Sequence, residues 1–101
     1  MIHSAIENKL DIIRKILTAN HVKKAYLFGS VIMDRFDETS DVDVVVSIDE
    51  TLNRIEYGRC YWNILFSLED QLHRNIDLLT YESLKNPYFI EELKNTRVEI
   101  L

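Results

Sequence analysis

The chain has 101 residues, 47% of them apolar, with two glycines and one proline, and 12 basic against 17 acidic side chains give a formal net charge of −5. That length has room for one modest core and none for a second substrate-binding domain, and the composition excludes disordered and fibrous classes. The acidic balance argues against a broad nucleic-acid-binding surface, although a local basic groove is compatible with it. The expectation is a single domain over residues 1–101. The lone cysteine, Cys60, has no partner for an internal disulfide, which suits a reducing compartment. The opening "MIHSAIENKLDIIRK" carries charges throughout and lacks the apolar stretch of a secretory signal, and no apolar run approaches membrane-spanning length. A cytoplasmic protein with no membrane association is therefore expected.

In chain order, residues 4–19 read as an amphipathic helix, with Ile6, Leu10, Ile13 and Leu17 at helical spacing and Ser4 with Glu7 fitting a capping box. Residues 25–28 form a short strand broken by Gly29. Residues 41–48, "DVDVVVSI", form a second strand, whose continuous apolar run is that of a strand covered on both faces. Residues 51–72 read as a long helix with Ile55, Tyr61, Leu65, Leu68 and Leu72 as its core stripe. A third strand is expected at 75–81, "NIDLLTY". Asn86-Pro87 marks a turn into a last helix at 88–94, and "RVEIL" reads as an edge strand. Repeats, linkers and low-complexity segments are missing. The predicted class is α/β (α+β), a small mixed sheet flanked by helices.

The chemistry concentrates between Tyr26 and Ile48. Asp41 and Asp43, two residues apart on a strand, point to the same face and repel each other, so a cation is expected between them. They are hard oxygen ligands of the kind Mg²⁺ takes, and Val42 between them should face the core. Gly29 lets the backbone turn sharply and approach a ligand, and Ser30 offers a hydroxyl and an N–H to a phosphate. Asp77 interrupts the apolar run of the third strand. Beside the second strand, it would complete a three-carboxylate cluster able to hold two metals. Taken singly, each feature has a plainer reading: a turn or cap for Asp-x-Asp, a strand end paired with Arg74 for Asp77, a simple turn for Gly29. Their joint order favours a site.

"GSVIMDRFDETSDVDVVV" resembles the signature of the minimal nucleotidyltransferases of the DNA polymerase β-like superfamily, in which Gly-Ser precedes Asp-x-Asp by ten residues. The resemblance spans nearly the whole chain and implies the polymerase β-like nucleotidyltransferase fold. It further implies that Gly29 and Ser30 bind nucleotide phosphates, and that Asp41, Asp43 and Asp77 are the catalytic and metal-binding carboxylates for two Mg²⁺ ions. The activity implied is transfer of a nucleoside monophosphate, AMP from ATP, onto an acceptor hydroxyl. Minimal members are typically paired with a small helical protein of the HEPN or substrate-binding type, and in toxin–antitoxin systems they adenylylate that partner. The implied assembly is thus a hetero-oligomer, or a homo-oligomer. Family members often carry Ala-Arg-Gly where this chain has Ile32-Met33-Asp34. That difference bears on phosphate affinity and acceptor choice; Arg35 is a candidate substitute, although an exposed, solvated arginine is the plainer reading of it. Two alternatives stay open: a weakly active or inactive subunit that neutralises its partner by contact, and transfer to a small-molecule or RNA hydroxyl.

His3, His21 and His73 lack ligand spacing and read as surface residues. Cys60 reads as a small core residue. Tyr57, Tyr61, Trp62 and Phe66 are mostly core, but the group is wider than one stripe, so part of it is a candidate partner surface.

Overall fold

The computed structural model describes residues 2–32, 36–37 and 39–101. A short helix α1 (Ser4–Glu7) precedes α2 (Leu10–Ala19), strand β1 (Val22–Phe28) and a 3₁₀ turn at Gly29–Ile32. Strand β2 (Val42–Ile48), helix α3 (Arg54–Leu72), strand β3 (Ile76–Thr80), helix α4 (Pro87–Thr96) and strand β4 (Val98–Glu99) complete the order. The sheet runs β3-β2-β1-β4. β1 is antiparallel to both β2 and β4, whereas β2 and β3 are parallel and joined by α3. The mixed sheet with flanking helices is the predicted class.

Alternation sorts the sheet into two faces. Ala25, Leu27, Val42, Val44, Val46, Ile48, Ile76 and Leu78 are buried in one cluster with Ile13 and Leu17 of α2 and Cys60, Ile64 and Leu68 of α3. Val45 is fully buried outside that cluster, so β2 has apolar cover on both sides, as its unbroken valine run requires. α4 covers the second face, where Phe89 meets the ring of Phe28 edge-on at 5.8 Å.

Three boundaries depart from the sequence reading. The expected helix over 4–19 is broken at Asn8–Lys9 into α1 and α2, and its first cap is the His3 ring, which accepts from the Ala5 N–H, not a Ser4–Glu7 box. α3 begins at Arg54 rather than 51, because Asn53 caps it by accepting from the Glu56 N–H, while Asp49 closes the preceding turn on Thr51. Ile55, expected in the core stripe, is 77% exposed; it lies on the far side of α3 from Cys60, Ile64 and Leu68. β1 also starts earlier than expected, at Val22, where an irregularity between Val22 and Lys24 leaves Lys23 and Lys24 both in solvent and hides the period-two pattern. The tail does form the expected edge strand, β4. No described helix is long and apolar enough to cross a membrane.

Candidate active site

Gly29 leaves β1 with φ at +72°, a region that side chains rarely enter. A Cβ built there would overlap Oδ2 of Asp43 and lie 3.2 Å from its Cγ. Gly29 is thus required twice over, by its backbone conformation and by a carboxylate pressed against its Cα. The Ser30 hydroxyl donates to the Asp41 carbonyl at 3.4 Å, a long bond that ties the turn to the start of β2.

Asp41 stands exposed just before β2, Val42 points into the core as expected, and Asp43 faces the opposite side of the sheet. Asp43 pairs in register with Asp77 on parallel β3 and with Phe28 on antiparallel β1. The uncertain part of the sequence reading, whether the third strand lies beside the second, is met. Burial first, then the charges of Asp77 and Asp41 and a hydrogen bond shared with Asp77, push the Asp43 carboxyl up from 3.8 to about 6. Arg74 does not pair with Asp77. Its Nη1 donates to the carbonyls of Asp37 at 2.7 Å and Ser40 at 3.0 Å, and its guanidinium lies 4.4 Å from the centre of the Phe36 ring.

Arg74 therefore clamps the stretch that leads into Asp41. Asp37 braces the same stretch by accepting from the Thr39 N–H and from the hydroxyls of Thr39 and Ser40, and the Val42 N–H donates to the Asn75 carbonyl. Asp41 lines a polar recess of about 510 Å³ with Ser40, Glu69, His73, Arg74 and Asn75. Among the described residues, no three His, Cys, Asp or Glu side chains are gathered closely enough to hold a metal ion as they stand. Asp43 and Asp77 stand side by side in register while Asp41 borders the recess. The donor chemistry nevertheless fits a divalent cation. Hard carboxylate oxygens meet at one end of two parallel strands, burial and then their mutual repulsion already raise one of them, and Gly29 contributes no side chain to obstruct a ligand.

The sequence reading missed the Arg74 clamp and the Phe28–Phe89 wall beside Asp43. Nothing local marks either one, because each depends on which distant segments meet. Met33, Asp34 and Arg35 lie outside the described residues. His3 caps α1, and His21 and His73 take positive φ at turns, all three exposed. Cys60 is buried, and that burial pushes its thiol up.

The family model "Polymerase beta, Nucleotidyltransferase" matches residues 11–101. The chain is 33% identical over 86 residues to "Putative protein adenylyltransferase MJ0435" of Methanocaldococcus jannaschii, covering 85% of this chain and 87% of that protein. The chain belongs to the polymerase β nucleotidyltransferase family. It is accordingly an enzyme of the nucleotidyltransferase class. Solved structures share the fold, among them two from toxin–antitoxin complexes. A chain from a toxin–antitoxin crystal structure with AMP-PNP superposes with a TM-score of 0.72 at 23% identity, covering 91% of this chain and 72% of that one. A chain from the complex of a tri-AMPylated Shewanella oneidensis HEPN toxin with an MNT antitoxin gives 0.66 at 22% identity, over 94% and 71%.

Proposed function

We propose that this nucleotidyltransferase moves AMP from ATP onto a hydroxyl of a small helical HEPN-type partner, as the catalytic subunit of a two-component toxin–antitoxin system. The observation that carries the reading is the register of Asp43 against Asp77, with Gly29 pressed on the same carboxylate. A purely structural pair of aspartates gains nothing from such mutual repulsion. The protein adenylyltransferase named in Methanocaldococcus jannaschii and the AMP-PNP and AMPylated-toxin complexes of the structural neighbours support the adenylyl donor and the helical acceptor.

Asp41, Asp43 and Asp77 would hold Mg²⁺, two ions in the full site, which supplies charge neutralisation at the phosphates and acidifies the acceptor hydroxyl. The residues do the rest. Gly29 opens the turn so that backbone N–H groups and the Ser30 hydroxyl reach the phosphates. Asp77, exposed at the edge strand, stands on the acceptor side and accepts the hydroxyl proton as the oxygen attacks the α-phosphorus. The bond from the α-phosphorus to the bridging oxygen breaks, and pyrophosphate leaves in line. Arg74 keeps Asp41 at the entrance of β2.

Asp77→Asn tests the division of labour. Nucleotide binding, read by calorimetry with Mg²⁺ and a non-hydrolysable ATP analogue, should stay within about threefold of wild type, while transfer falls by about 10² or more. Equal losses of binding and transfer would remove Asp77 from the acceptor side.

A further inference from the structure

α3 carries two apolar stripes. One faces the core through Cys60, Ile64 and Leu68, and the other points directly away from it. Ile55, Trp62 and Phe66 are 77%, 53% and 60% exposed, and the Trp62 and Phe66 rings stack at 5.7 Å. With Arg59 and Glu69 they follow 4-3-4-3 spacing, the pattern by which one helix receives another. The expectation that part of the Tyr57–Phe66 group faces a partner thus resolves by residue, with Tyr57 and Tyr61 packed against the core and Trp62 and Phe66 outside it.

Gly58 interrupts the helix beside this stripe. A Cβ there would meet nothing within 4 Å, so nothing in the fold excludes a side chain, yet a helix-interior glycine costs about 1 kcal/mol relative to alanine. The position makes sense where another backbone approaches closely. Gly58 also borders a recess of about 440 Å³ formed with Glu50, Leu52, Arg54, Tyr57 and Glu82. Glu82 meets the Tyr57 phenol, and Glu50 lines the same recess. The Tyr57 hydroxyl donates to Glu82, and Tyr57 is pushed up to about 12 by burial first, then by Glu82, with a further contribution from Glu50. Among the described residues, neither glutamate is in an ion pair.

We infer that the outer face of α3, from Ile55 to Phe66 with the Gly58 recess, docks one helix of a partner protein whose apolar stripe is flanked by a lysine or arginine that enters between Glu50 and Glu82. This rests on the two-component reading above and assigns its contact surface. The three exposed apolar side chains offer roughly 300–400 Å², about half of the ~800 Å² per partner of a stable interface, so the basic contact must supply part of the hold. A second copy of this chain would set four acidic side chains, Glu50, Glu82, Glu69 and Asp70, against only two basic ones, Arg54 and Arg59, on each side, which disfavours it on charge. The recess follows the last residues of β2 and β3, whereas Asp43 and Asp77 sit near their starts, roughly 15 Å away along the strands. A partner held here leaves the carboxylates open to its acceptor segment.

The test uses the chain and any HEPN-type helical protein encoded beside its gene, purified separately. Trp62 is the only tryptophan of the chain, so 5-fluorotryptophan placed in this chain alone reports the surface by ¹⁹F resonance. Complex formation should move that resonance. Gly58→Leu should weaken the complex at least tenfold while raising the melting temperature of the free chain, so lost binding is not lost folding. Glu50→Lys with Glu82→Lys should weaken it at least tenfold and flatten its salt dependence. All variants should bind nucleotide as wild type does. The inference is overturned if the complex forms with the Trp62 resonance unmoved, if Gly58→Leu binds as tightly as wild type, if no complex forms, or if Gly58→Leu instead dissolves a dimer of this chain. Transfer to the partner with Gly58→Leu unaffected would sink the docking surface alone, whereas a Gly58-dependent complex without transfer would sink the proposed reaction alone.

Discussion

Removing the Asp43 charge should stabilise the metal-free protein at neutral pH, and the amount can be worked from the site. The carboxyl titrates at about 6 in the fold against 3.8 in an open chain, because burial and the neighbouring Asp77 and Asp41 disfavour its charged form. Below 3.8 the group is protonated in both states and the native hydrogen bond with Asp77 contributes fully. From 3.8 up to about 6 the open chain ionises while the fold keeps its proton, so stability falls as the pH rises, and above about 6 the loss reaches a ceiling of about 3 kcal/mol. Asp43 is only partly buried, so solvent screening lowers that to about 1 kcal/mol. Asp43→Asn retains the shape and can donate to Asp77 without the charge. In thermal melts with chelator, the variant should exceed wild type by about 5 °C at pH 7.5, with the gap closing at pH 4. A variant less stable than wild type at pH 7.5, or a gap independent of pH, would refute the reasoning and mark the carboxylate as structural.

Gly29→Ala should destabilise the fold by about 2 kcal/mol or more in denaturant titrations, since it meets both a positive φ and the Asp43 carboxylate; a loss below about 0.5 kcal/mol would mean that the turn relaxes freely. Arg74→Ala should cost about 1–3 kcal/mol and raise amide exchange around Asp37–Asp41, with Arg74→Lys recovering part of the stability but not the two-carbonyl geometry; unchanged exchange there would remove the clamp from the account. Mg²⁺ with a non-hydrolysable ATP analogue at about 100 times its Kd should stabilise wild type by about 2.7 kcal/mol and leave the double variant Asp41→Ala, Asp43→Ala unmoved. A shift of equal size in both proteins would place the nucleotide elsewhere.

The strands were readable along the chain because β2 carries an uninterrupted valine run and Asp77 breaks an otherwise apolar β3, signals that survive without tertiary context. Helix limits were less so. Asn8 and Lys9 have nothing in their periodicity to announce a break, and α3 starts after its cap Asn53 rather than at Thr51, whose N–H and hydroxyl are held by Asp49. Ile55 misled because a helix with apolar residues on two opposite faces looks, in one dimension, like a single broad stripe. For the site, Gly29 and the spacing to Asp41 and Asp43 were visible in the sequence, as was Asp77 as a third candidate. The parallel register that sets Asp77 against Asp43 was not, since it depends on α3 returning the chain to the neighbouring strand. Arg74 invited pairing with nearby Asp77, yet its guanidinium reaches back 34 and 37 residues to two carbonyls. Sequence proximity carries no information about such a contact.

The central claim is adenylyl transfer through Asp41, Asp43 and Asp77, and the position of the label decides it. The chain, Mg²⁺ and any HEPN-type helical protein encoded beside its gene should be incubated in parallel with ATP labelled at the α- or the γ-phosphate. The account predicts α-label on a hydroxyl of the partner, γ-label released as pyrophosphate, and neither on the partner with Asp41→Ala, Asp43→Ala. Label from the γ-phosphate on the partner, α-label that persists in the double variant, or a partner bound and neutralised by both proteins with no transfer would contradict it.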